Sequence, residues 1–266
     1  MIKLLLITVS IHLLIFTSVN GKLTILYQFA LPDDLNSLTI SLLENDFELS
    51  EETKGSKTFR KGETEVVTSR LGSNPYQASY LATANLIDAR PRLVITTGPC
   101  GALSEETAIG SVFIIDEVVS HDMATLTNQG LSQPNHRLTV TPLPSIGILS
   151  LEGSPLEAIT VASGSAFVAG DDARSQVARR TGASVVDMNS YASLYVFEKY
   201  SLHSVNLRIV SDHAGEDAAE QFARFVEGYD GILGRIAAGV ILENPLSPSN
   251  VSPYPALQSL IENNSQ

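Results

Sequence analysis

Three stretches of this chain place polar, chemistry-bearing side chains at the ends of apolar runs. Val205-Asn206-Leu207-Arg208-Ile209-Val210-Ser211-Asp212 leads into His213-Ala214-Gly215. Ala183-Ser184-Val185-Val186 leads into Asp187-Met188-Asn189-Ser190, and Leu23 to Tyr27 is followed by Pro32-Asp33-Asp34. Apolar, β-branched runs of this kind read as buried parallel strands, and open α/β sheets bind their ligands at the carboxyl edge. Carboxylates, an amide and a guanidinium delivered to that edge suit a small polar ligand. Each acid also has a structural reading. Asp is a preferred helix N-cap, which fits Asp212, and Asp33 and Asp34 equally fit charge matching at a helix N-terminus.

The elements that must carry these residues alternate along the chain. A strand over Leu23 to Tyr27 precedes a helix from Pro32 to about Glu44, with Pro and acids in its first turn. Residues 45–63 are charged and Gly-containing, which predicts a hairpin with a strand near Glu65 to Ser69. Pro75 to Asp88 has helical spacing, with Ala78, Leu81, Ala82 and Leu86 turned inward. Strands follow over Arg92 to Thr97, ending in Gly98-Pro99-Cys100-Gly101, and over Gly110 to Val119, ending before His121-Asp122. Met123 to Pro155 is Pro-, Ser- and Thr-rich and reads as a surface excursion. Ile159 to Ala162 returns to the sheet, Ala173 to Thr181 and Tyr191 to Tyr200 read as helices, and Ala218 to Ile241 as one long helical region. This alternation predicts a single α/β domain, a central mixed, mostly parallel sheet flanked by helices.

The composition narrows the partners. At 266 residues the chain suits one large α/β domain. A formal net charge of −12 with 17 basic residues, none clustered, excludes a nucleic-acid backbone as partner. Cys100 is the only cysteine, so there is no disulfide framework and no cysteine-rich metal site. His121-Asp122 has no ligand partner at helical interval, and no cofactor is implied. Residues 2–19 form an apolar stretch behind one Lys, with Val19 and Gly21 suiting cleavage after Gly21. That is a secretory leader pattern, and its rival is an uncleaved signal anchor. The expected organisation is a leader over 1–21, a domain over 22–244 and a Pro/Ser/Asn-rich tail over 245–266. The tail holds Asn-x-Ser sequons at Asn250 and Asn263.

Six motifs in order resemble one family. They are Leu93 to Leu103 with its Gly98-Pro99-Cys100-Gly101 turn, Ile109-Gly110-Ser111-Val112, Ser120-His121-Asp122, Ser163 to Val168, Val186 to Ser190, and Arg208 to Asp212. Over roughly residues 22–242 this resembles the purine nucleoside phosphorylase/methylthioadenosine nucleosidase superfamily. The resemblance implies that Asp212 is the acid that protonates or hydrogen-bonds purine N7, with Ser211 beside it. It implies that Phe167 stacks on the base, that the backbone of Val168 reaches the base edge, and that Met188 packs under the ribose. Phe167 has a plainer reading as core packing.

The departures from the family pattern are informative. Asn189 stands where the family has a Glu that holds the ribose hydroxyls, and an amide makes no charge-assisted bond there. Asp187 stands where many members carry Glu. Thr96 occupies the position of a phosphate-binding Arg, and Phe29 to Asp34 lacks the Gly and Arg of the phosphorolytic members. By position Asp34, or Asp33, matches instead the acid that activates water, and Arg208 would orient water or sugar. Pro99 replaces a Ser or Thr and supplies neither hydroxyl nor N–H. Cys100 reads as a buried turn residue, His121 as an exposed loop residue able to reach a neighbouring subunit, and His213 as a contact to the purine edge. The resulting expectation is a secreted purine nucleoside hydrolase that uses water, in a homo-oligomer, either a dimer or a trimer-based assembly. The alternatives are a phosphate-dependent phosphorylase and a catalytically weakened nucleoside-binding or storage protein.

Overall fold

The computed structural model describes residues 22–123, 125–128, 130–131, 136–140, 150–151 and 154–243. The leader over 1–21, the tail from 245 and the sequons at Asn250 and Asn263 lie outside the described residues. The strands are β1 (Leu23–Phe29), β2 (Glu48–Thr53), β3 (Ser56–Lys61), β4 (Thr64–Arg70), β5 (Leu93–Ala102) and β6 (Val112–Ser120). They continue with β7 (Leu126–Thr127), β8 (Gly130–Leu131), β9 (Arg137–Thr139), β10 (Ser150–Leu151), β11 (Ser154–Pro155), β12 (Glu157–Ser163), β13 (Val185–Asp187) and β14 (His203–Asp212). The helices are α1 (Pro32–Glu44), α2 (Pro75–Ala89), α3 (Asp171–Thr181), α4 (Ser190–Lys199), α5 (Ala218–Gly228) and α6 (Ile232–Leu242).

The main sheet runs β13-β12-β6-β14-β5-β1-β4-β3-β2, with β9 added to β6. Parallel pairings join β4, β1, β5 and β14 in one block and β6, β12 and β13 in another. The blocks meet antiparallel twice, at β6–β14 and at β13–β5. β13 thus pairs with both β12 and β5 and closes a ring of five strands, β5-β14-β6-β12-β13. The sheet is mixed, as expected, with its parallel pairings confined to the two blocks.

Burial on both faces explains why β1 is apolar almost throughout. Ile25, Tyr27 and Phe29 face a core shared with Leu38 and Leu42 of α1 and Leu233, Ala237 and Ile241 of α6. Leu26 faces the opposite core with Ala82 and Leu86 of α2 and Leu194 and Phe197 of α4. The N-terminus of α2 is fixed by the Asn74 side chain, which accepts from Gln77 N at 3.0 Å, with Pro75 at the first helical position.

The structure departs from the sequence reading in three elements. β5 does not stop at Thr97 but continues through Gly98-Pro99-Cys100-Gly101 to Ala102. Residues 218–241 form two helices, not one: Gly231 adopts φ +77 between them, and a Cβ there would sit 2.2 Å from Asp33 O. The close approach of α6 to α1 requires that break. Within the excursion after Met123, β9 pairs with β6, so part of it belongs to the sheet.

Candidate active site

A cavity of about 960 Å³ opens at the carboxyl edge of β1, β4, β5, β13 and β14, between the first turns of α2 and of α5. That is the size of a small-molecule site. Its lining includes Ser211, Asp212, Met188, Asn189 and Phe167, together with Leu31, Arg70, Ser73, Gln77 and Tyr80.

The Asp212 corner is built by a β-bulge. Val210 pairs with Cys100 and Asp212 with Gly101, which leaves Ser211 as the extra residue in β14. Bulges re-aim side chains in this way beside sites. Asp212 is buried; its Oδ1 accepts from Ala214 N at 2.9 Å and its Oδ2 lies 2.8 Å from Ser211 Oγ. The Ser211 hydroxyl is also 3.1 Å from Cys100 O, and its single proton serves one acceptor at a time. Burial holds the Asp212 pKa above the ordinary carboxylate value, against the opposing pull of the Ser211 and Ala214 bonds. Asp212 is not a helix cap, because α5 begins at Ala218 behind Asp217.

Asp187, which lines the cavity, and Arg208, which does not, form a buried framework. Arg208 Nε donates to Asp187 Oδ2 at 2.9 Å, and Nη1 to Thr96 Oγ1 at 3.2 Å and Leu207 O at 2.9 Å. Nη2 donates to Asn189 Oδ1 at 3.2 Å and Ser190 Oγ at 2.7 Å. A guanidinium has five N–H donors, and all are used inside the protein. Arg208 is fully buried and does not line the cavity, so it has no donor left to orient water or sugar. Asp187 accepts in addition from the amides of Asn189 and Ser190 and from the Ser190 hydroxyl, fixing the first turn of α4.

Asn189 reaches the cavity wall already engaged. Its Nδ2 donates to Gly72 O at 3.0 Å, tying β13 to the turn before α2, while its Oδ1 takes the Arg208 bond. Phe167 is 46% exposed and stands on the cavity wall, edge-on to Phe222 at 6.4 Å, so the core-packing reading does not hold. Met188 lines the floor. The Val168 side chain turns away into a small core with Val177, Ala183, Val186 and Ala214.

The structure does not bring Asp34 to the cavity wall. α1 packs so tightly on α6 that a Cβ at Gly234 would sit 2.0 Å from Asp34 O. The Asp34 side chain is fully buried, with Oδ1 accepting from the Tyr229 hydroxyl. Burial raises its pKa to about 6, with hydrogen bonds from Tyr229, Thr97 and the Gly234 backbone pulling partly back. Asp33 and Asp34 do stand in the first turn of α1, as helix charge matching requires. His121 is buried rather than exposed, and desolvation depresses its pKa. The His213 ring lies 3.1 Å from Thr107 O and does not line the cavity. Cys100 borders the cavity, but its side chain packs in the core with its thiol donating to Ile209 O at 3.5 Å and its pKa pushed up by burial, an unreactive form.

Sequence reasoning missed Arg70, Ser73, Gln77, Tyr80 and Phe222 as cavity residues. Only Gly72 signals that wall: it adopts φ +89 and would meet Ala78 N at 2.8 Å if it carried a Cβ.

Fold and cavity together define an α/β protein with a small-molecule site at the carboxyl edge of a mixed sheet. Residues 28–241 match the model of the phosphorylase superfamily, and the chain belongs to that family. It is similar to the 5'-methylthioadenosine/S-adenosylhomocysteine nucleosidase of Mycobacterium tuberculosis, 27% identical over 164 residues, covering 51% of this chain and 64% of the relative. The chain thus spans less than two thirds of that relative's length. The nucleosidase of the same description from Staphylococcus haemolyticus is 28% identical over 170 residues, covering 61% of this chain and 75% of the relative. Among solved structures, S-adenosylhomocysteine nucleosidase from Streptococcus pyogenes in complex with 5-methylthiotubericidin superposes with a TM-score of 0.69. It is 20% identical and covers 86% of this chain and all of its own. Futalosine hydrolase of Helicobacter pylori superposes at 0.70 with 18% identity, covering 84% of this chain and 98% of its own. At these identities the shared property is the nucleoside phosphorylase-like fold.

Proposed function

We propose that the protein is a purine nucleoside N-ribosyl hydrolase. The observation that carries this reading is Asp212, a buried carboxyl on the cavity wall whose pKa burial raises. Breaking the C1′–N9 bond sends its electron pair to the purine. Protonated Asp212 gives its proton to N7, the oxygen of water bonds to C1′, and the proton lost by that water restores Asp212 through solvent. Ser211 orients the carboxyl, Phe167 offers its ring face to the base, and Met188 packs under the sugar. The nucleosidase relatives support water as the acceptor, and so does Thr96, which stands at the phosphorylase arginine position with its hydroxyl engaged by Arg208 and Asn206. The test is release of free base from adenosine, inosine and methylthioadenosine in phosphate-free buffer. Strict dependence on added phosphate would replace the hydrolase with a phosphorylase.

One observation favours a second reading, a nucleoside-binding protein with weakened catalysis. Among the described residues, no carboxylate on the cavity wall is available to activate water: Asp187 is saturated by Arg208 and α4, and Asp34 lies behind the wall. Wild type and Asp212→Asn equally inert towards every nucleoside, with purine still bound, would establish it. Replacement of Asn189 by Glu, followed by a large gain in turnover, would point to a weakened site.

The leader pattern over residues 1–21 supports secretion. Expression of the full chain should release a protein beginning at Lys22, and retention in membranes would replace the cleaved leader with an anchor. Tyr76, Tyr80 and Ile87, exposed on one face of α2, support a homo-oligomer in which a second copy covers that helix. Light scattering on purified protein tests it, and a monomer at all concentrations would end it.

A further inference from the structure

Ala214, two residues past Asp212, adopts φ +51, in the left-handed region that favours glycine. An alanine stays there only where its surroundings over-determine the backbone. Here they do. His213 N donates to Gln221 Oε1 of α5 at 2.9 Å, and Ala214 N to Asp212 Oδ1 at 2.9 Å. Gly170 N donates to Ala214 O at 3.1 Å, and Ala218 N to Gly215 O at 3.1 Å. The Ala214 methyl is fully buried in the small core with Val177 and Val186, packing that a glycine would forgo.

The other carbonyl of this turn, His213 O, accepts from Arg174 Nη1 at 3.3 Å. Arg174 stands in the first turn of α3 with its side chain only 13% exposed, and its Nη2 meets Glu105 Oε1 at 2.8 Å and Asp171 Oδ1 at 3.1 Å. The turn runs so close to α3 that a Cβ at Gly215 would sit 2.8 Å from Asp171 Oδ1 and 3.5 Å from Arg174 Nη1. The His213 carbonyl and the Ala214 N–H belong to one planar peptide group and point opposite ways from it. A guanidinium on its oxygen and a carboxylate on its N–H therefore fix the rotation of that plane from both ends. The cation also polarises the amide, which strengthens the N–H as a donor.

We propose that Arg174 is a positioning residue for Asp212, holding the Ala214 N–H on Asp212 Oδ1 through the 213–214 peptide and so setting the aim of the carboxyl. Arg174 does not line the cavity and acts only through that peptide. The proposal rests on the reading of Asp212 as proton donor to a purine. It assigns the α3 side of the turn a part in the chemistry that the cavity lining does not reveal. The other titratable groups around Asp212 are His213 in the turn and, on the neighbouring strands, Cys100 of β5 and Asp187 of β13. None of them is altered in the variants below.

The experiment measures base release from methylthioadenosine, adenosine and inosine by wild type, Arg174→Gln, Arg174→Lys, Ala214→Gly and the double variant Arg174→Gln/Ala214→Gly, with melting curves to establish that each is folded. Arg174→Gln should lower kcat about tenfold and leave KM within about twofold, the mark of a group that acts on the reacting geometry and not on binding. The limb on which kcat/KM falls with rising pH should move to higher pH, because Asp212 loses a bond that favours its charged form. Arg174→Lys keeps a donor for His213 O and should recover part of kcat. Glycine enters the left-handed region freely, so Ala214→Gly should lessen the loss that Arg174→Gln causes. Wild-type kcat with an unmoved limb in Arg174→Gln, or losses that simply add in the double variant, would overturn the proposal. If Arg174→Gln does not fold, Arg174→Lys against wild type carries the same readouts. Nuclear magnetic resonance separates the proposal from the hydrolase reading. The Ala214 amide proton should titrate with Asp212 in wild type, and in Arg174→Gln it should shift upfield and exchange faster with solvent. That result without base release from any nucleoside would uphold the hold on Asp212 and sink the hydrolase. Base release with an Ala214 amide indifferent to Arg174→Gln would do the reverse.

Discussion

Arg208 and Asp187 meet at 2.9 Å with both side chains almost wholly buried, on β14 and β13, the two strands that flank β5 in the five-strand ring. The pair joins the end of β13 to β14 and holds Thr96, Asn189 and Ser190 in one network. Its partners are structural, and its consequences are stability consequences. Arg208→Met should destabilise the protein by about 3–5 kcal/mol, since it leaves Asp187 buried without its cation. Urea unfolding of Arg208→Met, Asp187→Asn and the double variant checks this. The double variant should lose much less than the sum of the singles.

Gly101 is a second precise requirement. A Cβ there would sit 2.8 Å from Asp212 Oδ1 and 3.2 Å from Ala214 Cβ. Gly101→Ala must therefore push the carboxyl off its bulge geometry. Base release should fall about 100-fold, as expected for a misplaced catalytic group. The overpacking should cost about 1–3 kcal/mol, so the variant stays folded and steady-state kinetics with a melting curve separate the two effects.

Asp34 makes stability depend on pH in a defined direction. Its pKa is about 6 in the folded protein against an ordinary value of 3.8, so the folded state binds the proton more tightly than the unfolded state. Stability from this group is therefore greatest below about pH 4 and declines as pH rises through about 6, a loss on the order of 3 kcal/mol by neutrality. Asp34→Asn should flatten that part of the stability profile and raise the melting temperature at neutral pH. Base release measured alongside discriminates the roles. A loss of turnover with undiminished stability would return Asp34 to the chemistry.

On the hydrolase reading, the raised pKa of Asp212 governs how base release responds to pH. The proton donor must be in its acid form, so kcat/KM should fall as pH rises through the folded pKa of Asp212. Because burial lifts that pKa, the limb should lie above the ordinary carboxylate range. Asp212→Asn should lose about 100-fold or more in base release and abolish the limb, while purine binding measured by calorimetry persists.

Strand ends were legible in the sequence because apolar runs stopping at Ser211-Asp212 and Met188-Asn189 obey local rules. These residues do meet at the cavity. Asp34 was misplaced for a long-range reason: its position after β1 is readable, but the Tyr229 hydroxyl that holds it comes from 195 residues away. Arg208 looked available because spacing cannot reveal that Thr96, Asp187, Asn189 and Ser190 would converge on it. Arg70 and Gln77 sit outside the quoted motifs, and only the placement of β4 beside β1 and of α2 after it brings them to the cavity wall. The break between α5 and α6 depended on how closely Gly231 approaches α1, a packing fact with no local signature.

The ring closed by β13 also decides where this molecule can breathe. Val185 and Val186 are bonded to Ala102 and Gly101 on one side and, with Asp187, to β12 on the other. The floor under the cavity therefore cannot widen without breaking two ladders at once. Admission and release of a ligand fall to the two helical walls, where α2 carries Tyr80 and Leu81 and α5 carries Ala219 and Phe222. Changes on α2 or α5 therefore alter the cavity wall and leave the residues of the Asp212 corner in place.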